Sequence, residues 1–250
     1  MAETELIPIW LLLAAGVAFF VPWGLAFVVA GGQPSAAARR TALLPILAFA
    51  LALLGYATVG FALHYGGIGL LIDHPDLNAL VWEWSPLSAE WGATWGAAGA
   101  AGFGLDGART PVAMLLLLST LPWAATAALL PMLALAGRAP RLVGGLFGAL
   151  TAGLGYPLLG NWTQGGGWLA TLGFNIGAGH GFVDFGGAGL FLFGGGVTLA
   201  ALLSFLRRLP PADASSLPPA PHPLLAAFGA ALVIVGASGW LTAWPLHDWT

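Results

Sequence analysis

Between Phe182 and Leu206 the only charged side chain is Asp184, and the run stops at Arg207 and Arg208. A helix needs roughly 20 apolar residues to cross the hydrocarbon core of a bilayer. Six such stretches follow one another: Ile7–Ala30, Thr41–Leu63, Pro111–Ala136, Leu142–Leu159, Phe182–Leu206 and Leu224–Trp244, the fourth being the shortest. In lipid every backbone donor and acceptor must be satisfied inside the protein, so these runs read as helices. The expected fold class is all-α, a polytopic membrane protein with about six transmembrane helices. With 58% hydrophobic and 7% charged residues, the chain has too little polar surface to clothe a soluble domain.

The basic residues orient the spans. All seven are arginine. Arg39 and Arg40 follow the first span, Arg138 and Arg141 the third, and Arg207 and Arg208 the fifth; only Arg109 falls on the other side. The positive-inside rule then places both termini outside. Residues 1–206 read as a five-helix unit with a long external loop over 64–109. A proline-rich cytoplasmic linker follows at 207–223, and a sixth helix lies within 224–250. The opening Met1-Ala2-Glu3-Thr4-Glu5 is acidic, unlike the positive start of a signal peptide.

Several chemistries are unsupported. Cysteine is absent, which excludes disulfides and thiolate metal sites. Lysine is absent too, so there is no phosphate-binding loop with its lysine. No basic stripe suits nucleic acid. His64, His74, His180, His222 and His247 are scattered, none central in a span and none spaced as paired ligands. No metal, no cofactor and no enzyme activity are expected.

Asp184 and the glycines carry the remaining signal. A carboxylate at the mouth of a spanning helix is costly and points to a functional site. It equally suits a helix cap, accepting backbone N–H bonds at the positive end of the dipole. Gly144 and Gly148 in the fourth span, and Gly187 and Gly194 in the fifth, are spaced for close helix packing. Trp82, Trp84, Trp91 and Trp95 in the external loop read either as an interfacial belt or as a docking surface for another subunit.

Three groups of residues together resemble the ammonium transporter (Amt/Rh) family. The first runs Asn161-Trp162-Thr163-Gln164-Gly165-Gly166-Gly167-Trp168-Leu169-Ala170, followed by Val183-Asp184-Phe185-Gly186-Gly187. The second is Pro22-Trp23-Gly24-Leu25-Ala26-Phe27 with Gly31-Gly32, and the third is Gly55-Tyr56 with Phe61 and Gly66-Gly67. The resemblance implies two inverted halves of five helices plus a final helix, with conduction at the interface of the halves. This chain resembles the N-terminal half plus one more span. It departs from the pattern by the insertion of residues 175–182 and by two substitutions. Leu192 stands where the family's pore histidine would fall, and Gln164 where it has tryptophan. The family's gating phenylalanine would fall near Pro122 or Trp123, and neither residue matches it.

Three readings follow. The first is a structural or accessory subunit, non-conducting alone, embedded in the lipid bilayer with other membrane subunits in a hetero-complex or homo-oligomer. The second is a half-channel for ammonium, ammonia or another small neutral species, active after pairing. The third, less supported, is a membrane redox subunit.

Overall fold

The computed structural model describes residues 3–88, 95–184, 188–205 and 220–243. Eleven α-helices fall among them. The first span is α1 (Glu3–Ala18) and α2 (Phe20–Gly31). The second is built from α3 (Ser35–Ala42), α4 (Leu44–Gly55), a π turn (Tyr56–Gly60) and α5 (Phe61–Tyr65). The third is α6 (Pro111–Leu135). Then come α7 (Arg141–Leu150), a second π turn (Thr151–Gly155), α8 (Tyr156–Thr163) and α9 (Trp168–Asn175), followed by α10 (Ala188–Phe205) and α11 (Pro223–Ala243). Five helical runs among the described residues are long and apolar enough to cross a membrane, and α10 adds a shorter apolar helix. The chain is an all-α polytopic membrane protein.

The third span is the axis of the bundle. It has no polar stripe and is buried around its circumference, as a helix surrounded by other helices must be. Trp123 stacks on Trp240 of α11 at 4.5 Å, tying the axis to the last span. Its first turn is capped from a distance: Asp76 Oδ2 accepts the Val112 N–H at 3.1 Å, and Thr110 Oγ1 donates to the Asp76 carbonyl at 2.7 Å. Asp76 thus satisfies a backbone donor that the helix itself cannot.

A glycine seam joins the first and last spans. A Cβ on Gly229 would stand 2.6 Å from the Gly24 carbonyl oxygen, one on Gly236 2.6 Å from Val21 N, and one on Gly31 2.8 Å from Ala226 N. The helices run antiparallel, because Gly31 faces the start of α11 while Trp10 Nε1 donates to the Thr242 carbonyl at 3.3 Å near its end. Only glycine lets the backbones come so close. The second and fourth spans also meet glycine to glycine, Gly55 on Gly153, but less tightly: a built Cβ at Gly55 lies 3.5 Å from the facing Cα, an ordinary contact distance.

Several boundaries differ from those read in the sequence, among them the end of the fourth span, which continues past Leu159 through α8 to Thr163 and on to Asn175. The second span does not end at Leu63: helix continues through Tyr65, and a 3-10 turn over Ile68–Leu70 completes the run. The polar His64 interrupts the hydropathy but is accommodated by packing. Phe182, Val183 and Asp184 are not helical, so the fifth helix starts beyond Asp184 rather than at Phe182. The Phe182 N–H donates to the Leu169 carbonyl at 2.9 Å, and the Gly181 backbone lies directly against the Ala170 carbonyl. This segment is therefore held back on α9 and is not free to coil. The loop between the second and third spans also folds onto the bundle. A two-stranded antiparallel pair, β1 (Glu83–Trp84) and β2 (Ala98–Gly99), sits over the end of the second span, with Leu77, Leu80 and Ala108 buried beneath.

Candidate functional site

Where the second, third and fourth spans meet, the lipid-embedded bundle encloses a polar centre. His64 is fully buried there. Its Nδ1 shares a 2.6 Å hydrogen bond with the Tyr56 hydroxyl, and Thr120 Oγ1 of α6 lies 3.2 Å from the same hydroxyl. Tyr56 and His64 are eight residues apart. The intervening π turn takes up one extra residue and so brings both onto one face. Tyr65 stacks on the imidazole at 3.9 Å and 7°, and Tyr156 of α8 meets it edge-on at 5.7 Å.

Gly160 explains how the ring fits. A Cβ at that position would stand 2.7 Å from His64 Nδ1, so the imidazole occupies the space that a side chain would take. At the next residue, Asn161 Nδ2 donates to the His64 carbonyl at 3.1 Å. The triple glycine wraps this junction. Gly165 lies against the His64 carbonyl, and Gly166 adopts φ +85°, a left-handed conformation that favours glycine. At Gly167 a Cβ would be 2.6 Å from Asn161 Oδ1 and 2.8 Å from the Gly96 carbonyl. The triple glycine thus lets the end of the fourth span close over the end of the second.

The external strands complete the roof. Trp162 Nε1 donates to the Ala97 carbonyl at 2.7 Å, and the Trp168 N–H to the Gly96 carbonyl at 2.9 Å. Asp184, just after the segment held on α9, is buried. Gln164 closes α8, its N–H bonding the Gly160 carbonyl at 2.7 Å.

The other residues singled out in the sequence lie apart from this centre. Gly144 and Gly148 face Met132 of α6, with a Gly148 Cβ position 2.8 Å from the Met132 sulfur. Gly194 packs on Leu130 of the same helix. Trp82 and Trp84, two apart on one extended segment, are exposed at 67% and 60%, large areas for tryptophan. Trp95 is half-buried. Phe185, Gly186, Gly187 and Trp91 lie outside the described residues, as do the proposed capping bonds of Asp184 to that segment. Leu192 is in α10, among residues whose side chains are not described. No group of three or more metal-ligating side chains is found among the described residues.

Sequence reasoning placed His64 at the start of a loop and so missed it. A signal was present. The pattern Gly-Tyr-x3-Gly-x5-Gly-Gly occurs twice, at positions 55, 56, 60, 66 and 67 and again at 155, 156, 160, 166 and 167. The two copies supply Tyr56 and Tyr156, and the second supplies the glycine under the imidazole. Two matching segments that both end in paired glycines are candidates to pack on one another, with His64 caught between them.

A helical bundle with an internal axis, glycine-sealed seams and a buried polar centre defines a polytopic, all-α integral membrane protein. The chain belongs to the Ammonium Transporter Family, whose family model matches residues 9–242. The ammonium transporter Amt2 of Archaeoglobus fulgidus is 29% identical over 214 residues, covering 84% of this chain and 40% of that protein. A solved structure described as a Sensor Amt Protein superposes with a TM-score of 0.75 at 20% identity, covering 97% of this chain and 55% of the other. That likeness concerns the fold. The chain spans about half the length of the relatives it matches.

Proposed function

We propose that this ammonium-transporter-like membrane protein does not conduct ammonium by itself and acts as an accessory subunit within a larger membrane assembly. The observation that carries the reading is the polar centre. The His64 imidazole lies over Gly160 with Tyr65 stacked on it and Tyr156 at its edge, so the space is filled by the chain's own side chains. A permeating cation or amine must replace its hydration with fixed polar groups along a path. Here the His64 Nδ1, the Tyr56 hydroxyl and the Thr120 hydroxyl already bond one another. Leu192, standing where the resemblance expects an imidazole, adds no polar relay. Assembly is supported by α10, where Gly195 and Gly196 are exposed with open space beside them. A lipid-facing glycine pair has no packing purpose, whereas one facing another helix permits close contact.

Both termini are assigned to the outer side, with residues 207–223 as the cytoplasmic linker before the last helix. Trp82, Trp84, Trp91 and Trp95 are the proposed docking residues, and Gly187 and Gly194 the proposed packing positions on the fifth span. One observation favours the half-channel instead: Asp184 is buried, an acid retained within the bundle.

The test is the purified chain in liposomes, with ammonium-driven current and internal pH recorded, beside affinity purification from native membranes. No flux together with a stoichiometric membrane partner is expected. Ammonium flux from the isolated chain, with no partner recovered, would replace the subunit reading by the channel.

A further inference from the structure

At the arginine-bearing end of the bundle, a cavity of about 580 Å³ opens between α3 and the start of α11. Ser35, Arg39 and His222 form its polar side, while Ala38, Ala42 and Leu224 contribute to its apolar wall; among the described residues no acidic side chain lines it. Ser35 Oγ and His222 Nε2 are hydrogen-bonded at 3.2 Å, which holds the two sides together. The His222 N–H donates to the Gly31 carbonyl at 3.0 Å, so the end of the first span and the start of the last stand level. Arg39 and Arg40 stand at that same end, as arginines do at a membrane boundary.

We infer that this cavity binds one anionic phospholipid. Its phosphodiester sits on Arg39, Ser35 and His222, and an acyl chain lies along the alanine and leucine wall. The guanidinium fork matches two phosphate oxygens, and hydroxyl and imidazole N–H groups supply further donors. Arg40, the next residue, adds positive charge at the same level. Basic pockets between helices at a membrane boundary have the chemistry for acidic headgroups. A free phosphate would satisfy the donors and leave the apolar wall wet, which is why the lipid is assigned. The site is independent of conduction and of the polar centre around His64.

The 250-residue chain, purified in mild detergent and stripped of lipid, is titrated with phosphatidylglycerol or phosphatidylcholine and read by native mass spectrometry. Phosphatidylglycerol should bind once per chain, about ten-fold more tightly than phosphatidylcholine. Arg39→Gln and His222→Gln should each erase most of that preference, whereas Arg138→Gln, outside the cavity, should retain it. Should Arg39→Gln aggregate, His222→Gln and the cavity-filling Leu224→Trp decide. Equal binding of the two lipids, or an undiminished preference in the cavity variants, overturns the inference. So does displacement of phosphatidylglycerol by millimolar inorganic phosphate, which marks a free-anion site. A folded chain that takes up no lipid overturns it as well, because the cavity is then covered by the chain itself.

Discussion

Tyr56 and His64 show what one oxygen does inside a lipid-embedded bundle. Tyr56→Phe preserves the ring contacts with Phe61 and Tyr156 and removes the 2.6 Å bond to the imidazole together with the 3.2 Å bond from Thr120 Oγ1. Interhelical bonds in membranes contribute modestly, but orphaning a buried nitrogen costs more, so a loss of about 1–2 kcal/mol is expected. Unfolding by detergent titration measures it, and a neutral result would mean that water enters the centre. Gly160→Ala should cost about 1–3 kcal/mol by overpacking against the ring. Combined with His64→Ala, the same change should be nearly free, since the methyl then enters the vacated space. A double-mutant cycle that shows no coupling would place the imidazole elsewhere.

At the scale of elements, glycines decide which helices touch. The densest glycine cluster in the sequence lies in the fifth span, yet the longest close contact is between the first and last spans, through Gly24, Gly31, Gly229 and Gly236. Those glycines are spread over two distant segments, so neither stands out as a run. Gly229→Leu would drive a side chain into the Gly24 carbonyl and Val28 N. It should separate the last span from the bundle, reducing folded yield in size-exclusion chromatography. Gly195→Leu should leave the fold of the isolated chain intact, because open space lies beside Gly195, and should weaken recovery of any partner from native membranes. Loss of folded protein from Gly195→Leu, with Gly229→Leu tolerated, would reverse this assignment.

For the whole molecule, orientation is set by charge and checked by labelling. Ala36→Cys, in exposed α3 beside Arg39 and Arg40, should react with a membrane-impermeant thiol reagent only from the cytoplasmic side. Ser88→Cys, in the exposed external loop, should react only from outside. Labelling of both from one face would overturn the topology. The chain lacks native cysteine, so each variant carries a single reporting thiol.

Hydropathy alone determined that this chain spans the membrane as helices, because lipid leaves the backbone no other way to satisfy its polar groups. Together with Asn161-Trp162, the triple glycine and Val183-Asp184-Phe185, it also pointed to the ammonium transporter family. The site was legible only in part. Asp184 and Gly165-Gly166-Gly167 stand out as costly or permissive residues in the sequence, whereas His64 reads as a loop residue. The start of the fifth helix was misplaced for a related reason, since periodicity does not register the Phe182 to Leu169 bond that holds the preceding segment extended. Tertiary structure alone decided that His64 is buried, that Gly160 makes room for it, and that the last span closes on the first. Each of these depends on a pairing between distant segments, and a hydropathy profile records how apolar a residue's neighbours in sequence are, not which residues face it across a helix seam.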